Sequence, residues 1–152
     1  MTKEALENLS LDLGSKLTKS NKALALAEIA DFDDDEAKKL IESMNLKEPL
    51  NGRFLSIWLG CLGAGRFYKG DKRFAKILLV ITLGVASLAF IIQIIMDNNP
   101  ITIALMLLLI ALILYFHYID SQLVLTGIFK DNMQKFMKAI ADYKTNKGGK
   151  NE

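Results

Sequence analysis

Chemistry-bearing side chains in this chain are few, and most of them sit near apolar sequence. Asp31, Asp33 and Asp35 stand at positions 1, 3 and 5 of a loop whose twelfth position is Glu42, the order of a calcium-binding loop. Such a loop needs Gly at position 6 for its sharp turn, and Glu36 stands there instead. The run reads better as a helix start, with Asp33 or Asp34 capping and the other carboxylates favouring the positive end. Gly60, Gly63 and Gly65 expose backbone amides of the kind that cradle phosphate. No strand precedes them, however, and their spacing is neither that of a dinucleotide site nor that of a P-loop. In apolar sequence they predict close helix packing, with Gly60 and Ala64 as a small-xxx-small pair. His117, between Phe116 and Tyr118, reads as a member of an interfacial aromatic belt, with a metal or proton role as the alternative. One cysteine, Cys61, excludes an internal disulfide and a multi-cysteine metal site. No nucleophile–base pair or ligand cluster emerges, so the chain predicts no enzyme, no metal site and no cofactor.

The elements that must carry these residues are dominated by two runs. Residues 77–96 hold twenty positions without a charge and residues 101–119 hold nineteen. At about 1.5 Å per helical residue, each reaches the roughly 30 Å of a bilayer's hydrocarbon core. Backbone groups in lipid must bond within their own segment, so the runs predict helices. A glycine-rich segment over 54–68 precedes them, about 22 Å long as one helix, which is short for a crossing. It either re-enters or crosses briefly. The start, Met1-Thr-Lys-Glu-Ala-Leu-Glu7, has no apolar leader core. Insertion by the internal helices, with the N-terminus inside, is therefore expected.

Residues 1–49 are acidic, with eleven Asp or Glu against seven Lys. Leu6, Leu9, Leu13 and Leu17 predict a first amphipathic helix, Ser20 caps a second, and the aspartate run introduces a third. Helices this short are expected to bury little core and to pack loosely. Residues 50–53 form a linker after Pro49. At the other end, Met133, Phe136, Met137 and Ile140 share a helical face with lysines elsewhere. That pattern predicts a helix lying on anionic lipid headgroups. The final residues, 147–152, are expected to be disordered. The fold class is therefore all-α: a membrane helical hairpin plus a short Gly-rich membrane segment, with a helical N-terminal region and an amphipathic C-terminal helix. The domain boundaries fall at 1–49, 50–132 and 133–152.

The stretch Leu59-Gly-Cys-Leu-Gly-Ala-Gly-Arg-Phe-Tyr-Lys-Gly-Asp71 resembles the signature of the TM-2 domain, a small membrane module of paired helices. Tyr118-Ile-Asp-Ser-Gln-Leu-Val-Leu-Thr-Gly-Ile-Phe-Lys-Asp-Asn132 is similar to the same family's closing segment, in which an aspartate ends the second helix. The resemblance selects Gly60, Gly63, Gly65, Arg66, Phe67, Tyr68, Gly70, Asp71 and Asp120 as the structural motif. It implies an integral membrane protein with no established enzyme activity. The chain departs from the family at Gly65, where Asp or His is usual. It also carries additional sequence over about residues 84–114, which adds a crossing.

Charge sets orientation. Arg66, Lys69, Lys72, Arg73 and Lys76 crowd one connection, opposed by Asp71, whereas Asp97-Asn-Asn-Pro100 has no basic residue. Basic flanks stay cytoplasmic, so the basic connection and the C-terminus are expected inside and Asp97–Pro100 outside. Nineteen residues of helix from Ile101 bring Asp120 to the same inner boundary. A carboxylate there needs a partner, and Arg66 or Arg73 is expected to supply it. A net charge of +2 gives no case for nucleic acid. The chain thus predicts a multi-pass membrane anchor or interaction protein whose N-terminal region meets a protein partner, with a second copy of the chain as another candidate. A small transporter or channel component is the competing function, against which residues 77–96 offer only Thr82, Ser87 and Gln93 as polar groups.

Overall fold

The computed structural model describes residues 1–95 and 99–148. Asp97 and Asn98, expected outside, and residues 149–152 lie beyond the described residues, whereas Lys147 and Gly148, the first two of the residues expected to be disordered, are helical. The elements run α1 (Lys3–Lys16), α2 (Lys19–Ile29), α3 (Asp34–Ser43), α4 (Pro49–Leu59), a single 3₁₀ turn (Gly60–Leu62), α5 (Ala64–Lys69), α6 (Lys72–Ile95) and α7 (Pro100–Gly148). The described residues are mostly helical with no strand among them, and α6 and α7 are each long and apolar enough to cross a membrane. They form two compact units, Met1–Pro49 with Thr126–Glu152, and Leu50–Leu125.

In the first unit, Thr2 caps α1, its hydroxyl oxygen accepting the Ala5 N–H. The second helix starts two residues earlier than its apolar pattern suggests. Leu17 and Thr18 are extended, and Thr18, not Ser20, accepts the Asn21 N–H. Asp33 occupies the N-cap position of α3 without a side-chain cap bond. Asp34 turns instead to Thr2, accepting from its backbone N–H at 2.8 Å and its hydroxyl at 2.6 Å.

Loose packing is not what these helices adopt. Leu9, Leu13 and Leu17 recur at four-residue spacing and are buried with Ala25, Ile29, Phe32, Ala37, Ile41, Met44 and Leu46. The core closes on Phe136 and Ile140 of α7, with Met133 and Tyr143 packed against it. Burying each such side chain is worth about 1.5–3 kcal/mol, which explains why short helices suffice once α7 adds its face. Of the apolar face of 133–140, Phe136 and Ile140 are therefore covered by protein and Met133 partly so, while Met137 stays exposed. Asn132 ties the same unit together, its amide donating to the carbonyls of Lys16 (2.8 Å) and Lys47 (2.7 Å) while its oxygen accepts the Lys47 N–H (3.1 Å).

The second unit differs from the expected single glycine-rich helix. Residues 50–53 are helical, because Pro49 sits at the first position of α4, where its missing N–H and fixed φ suit a helix start. The segment then breaks at Gly60–Gly63, so the length of a continuous 54–68 helix does not apply. α7 starts on Pro100 in the same way as α4, with the Asn99 side chain accepting the Ile101 N–H at 3.0 Å.

Candidate functional site

The site is built on the short α5 and the turns that bound it. Gly63 holds φ +68°, a conformation that side chains disfavour, and a Cβ there would lie 2.6 Å from the Ala75 carbonyl oxygen. Gly70, at φ +110°, ends α5: its N–H bonds to Phe67 O (3.1 Å), and the Asp71 N–H reaches back to Arg66 O (2.9 Å). This is the Schellman arrangement that a glycine in the left-handed region permits. It places the Asp71 carboxylate beside the side chain of Arg66.

Gly65 and Gly60 act by what they lack. A Cβ on Gly65 would collide with Ser56 Oγ and stand 2.8 Å from Gly52 O, so α5 lies against α4. A Cβ on Gly60 would meet His117 Nδ1 at 3.0 Å. The three glycines thus bring one short segment against α7, α6 and α4. Close packing is the use they serve here, but between separate pieces and not along one helix with Ala64.

These approaches assemble a four-membered ion cluster. Of the two arginines expected as partners of Asp120, the structure pairs Arg66. Its Nη2 lies 2.6 Å and its Nε 2.8 Å from Asp120 Oδ1. Both side chains are only 16% exposed. Arg66 Nη1 also reaches Asp71 Oδ2 at 3.2 Å, and Lys69 Nζ reaches the same oxygen at 2.7 Å. The Phe74 ring covers the guanidinium at 5.7 Å, a distance suited to a cation–π contact. The hydrogen bond from Lys69, followed by the charges of Lys69 and Arg66, holds the Asp71 carboxyl below the usual carboxylate range. Arg73 is exposed.

Two cations against two carboxylates leave these four side chains with no net charge. Such an arrangement joins α5, the α5–α6 turn and α7. Phe67 is exposed, and Tyr68 is half-buried. His117 is half-buried too, and its Nε2 is enclosed without a hydrogen-bond partner. Among the described residues no group of three or more His, Cys, Asp or Glu is placed to hold a metal. Beside the cluster, an apolar groove of 490 Å³ runs between α6 and α7, lined by Leu78, Ile81, Val85, Leu109, Ile113 and Phe116, with Asp120 also on its wall.

Sequence reasoning missed Asn132 and Ser56. Asn132 stood only as the last residue of a motif stretch, although an Asn inside an amphipathic helix is a recognisable signal for a buried tie. No family model, curated protein or solved structure matches the chain.

Proposed function

We propose that the chain is a multi-pass membrane anchor that holds a small helical unit at the cytoplasmic surface for a protein partner. The observation that carries this is the apolar surface of α6 and α7, whose candidate spans are 0% and 6% buried. Water is a poor solvent for such a surface, and lipid is the natural one. The reading that these helices belong to a TM-2-like module rests on the glycine-rich signature and on Arg66 meeting Asp120, which joins the two stretches of the resemblance across the intervening sequence.

Topology follows from charge and from the first unit's core. Lys72, Arg73 and Lys76 are exposed at the start of α6 and are assigned to the cytoplasmic headgroup layer. Leu13 and Phe136 share one core, so the N-terminal helices and the end of α7 lie on the same side. Eleven residues of α4 reach about 16 Å, short of a crossing, and α5 packs back on it at Gly52 and Ser56. The α4–α5 segment is therefore assigned as re-entrant. A non-enzymatic role is part of this reading, supported by an ion cluster that ties α5, the α5–α6 turn and α7 together.

The test uses single cysteines in a Cys61→Ser background. An impermeant thiol reagent added to intact cells should label Asn98→Cys and spare Glu7→Cys and Lys147→Cys until the cells are permeabilised. The same protein should stay in the membrane fraction through alkaline carbonate. Release by carbonate, or labelling of Glu7→Cys in intact cells, overturns the proposal.

A further inference from the structure

The first unit carries a shallow groove at the edge of its core, over the outer sides of Leu9 and Ile41. It lies between α1 and α3, with a volume of 300 Å³. That is the small end of the range for ligand pockets, and it suits a few inserted side chains better than a whole small molecule. The floor is apolar: Ala5 and Leu9 from α1, and Ile41 from α3. The rim is acidic, with Asp12, Asp34, Asp35 and Glu42 against Lys38. Its lining residues 5, 9 and 12 of α1, and 34, 38, 41 and 42 of α3, recur at helical spacing, so two helix faces run along the groove.

The carboxylates are not equally occupied. Asp12 bonds Lys16 at 2.6 Å, and Asp34 accepts from Thr2. Among the described residues, the side-chain carboxylates of Asp35 and Glu42 have no hydrogen-bond or ion-pair partner, and both residues stand exposed, about two helical turns apart along α3. Two unpaired negative charges flank an apolar floor that is already shaped by packing.

We infer that this groove docks a basic amphipathic helix of a protein partner, with apolar side chains seated over Leu9 and Ile41 and Lys or Arg facing Asp35 and Glu42. Helix-in-groove recognition uses anchors at i, i+3, i+4 and i+7, the same repeat that lines both walls here. Opposite charge on the rim fixes register and speeds encounter. The acidic rim repels nucleic acid and anionic lipid, which leaves a cationic protein segment as the occupant. This inference rests on the proposed role of the unit as a partner-binding module and names the partner's chemistry.

The test measures anisotropy of a labelled synthetic helix, Leu along one face and Lys on its flanks, added to full-length protein in nanodiscs of zwitterionic lipid. Empty nanodiscs give the blank. The peptide should bind saturably, and a Leu→Ser version should not. Asp35→Lys with Glu42→Lys should weaken binding at least tenfold, whereas Glu7→Lys with Asp31→Lys, the same charge change away from the groove, should leave it within about twofold. Raising salt from about 50 to about 300 mM should weaken the wild type several-fold, since exposed charges are screened. Circular dichroism on both double variants verifies that the helices remain. Absence of peptide binding, equal weakening by the two double variants, or equal binding of the Leu→Ser peptide overturns the inference. Self-association lost only in Asp35→Lys with Glu42→Lys, with no peptide binding, would show a second copy in the groove and overturn it too. If binding fails while carbonate resistance and cysteine topology hold, the groove is wrong and the membrane reading survives.

Discussion

The two units solve packing in opposite ways. In the first, the buried residues are large and apolar, Leu13, Ile29, Phe32 and Phe136 among them, and of the exposed large apolar residues it holds only Leu11, Leu24 and Met137. In the second, the buried residues are Gly52, Ser56, Gly60, Gly63, Gly65, Ala75, Thr102, Ser121 and Val124, while Phe90, Ile94 and Leu107 point outward. A unit in water gains by hiding large apolar side chains. Helices in lipid gain nothing by that, so they hold together through close backbone approach at small residues and through polar contacts. The same chain thus carries two kinds of core, and the second suits the lipid surroundings proposed for α6 and α7.

That contrast predicts a sharp difference between two phenylalanines. Phe136→Ala, in the first unit, should destabilise by about 3–5 kcal/mol, because it removes a fully buried ring and leaves a cavity. Phe90→Ala, at a residue 67% exposed in the second unit, should stay within about 0.5 kcal/mol in detergent micelles. Urea unfolding followed by circular dichroism reads both. Comparable losses at the two positions would mean that Phe90 is packed against protein in solution.

In the second unit the polar contact should matter more than any single apolar one. Breaking a fully buried ion pair costs about 3–5 kcal/mol. With Arg66 retaining Asp71 and both partners slightly exposed, Asp120→Asn should cost about 2–3 kcal/mol. Arg66→Gln should cost a similar amount, and the double variant should be far from additive. Arg73→Gln should be silent and additive. Trp58, the single tryptophan, reports unfolding of this unit by fluorescence.

A weaker, pH-dependent effect belongs to Asp71. Its carboxyl is held below the ordinary range by Lys69 and then Arg66, so its folded pKa is depressed. Its contribution is fully present above the ordinary aspartate range and is lost as pH falls through the depressed value. Asp71→Asn should therefore be less stable than the wild type at neutral pH, and the gap should narrow as pH falls below the ordinary aspartate value. A gap that widens in acid would contradict the assignment.

The long apolar helices were legible because charge-free runs are properties of one segment at a time. Each residue's preference for lipid or water adds to its neighbours', whatever lies elsewhere in the fold. The need of Asp120 for a cation was legible for the same reason, since a carboxylate at such a boundary is costly by itself. Which cation answers it was not. Arg66 and Arg73 are both near in sequence, and only the turns at Gly63 and Gly70 aim Arg66 at α7 while Arg73 stays exposed.

The face of 133–140 shows the limit most clearly. Helical periodicity establishes that Met133, Phe136, Met137 and Ile140 share a side, and it cannot say what covers that side. Lipid and protein both satisfy an amphipathic helix. Tertiary structure decided for protein at Phe136 and Ile140, which join Leu13, Ile29 and Ile41 in one core while Met137 stays exposed, and Asn132 found the carbonyls of Lys16 and Lys47 within reach. Composition along the chain chooses the solvent of each helix. Only the meeting of distant segments chooses its neighbours, since burial and hydrogen bonding are properties of pairs.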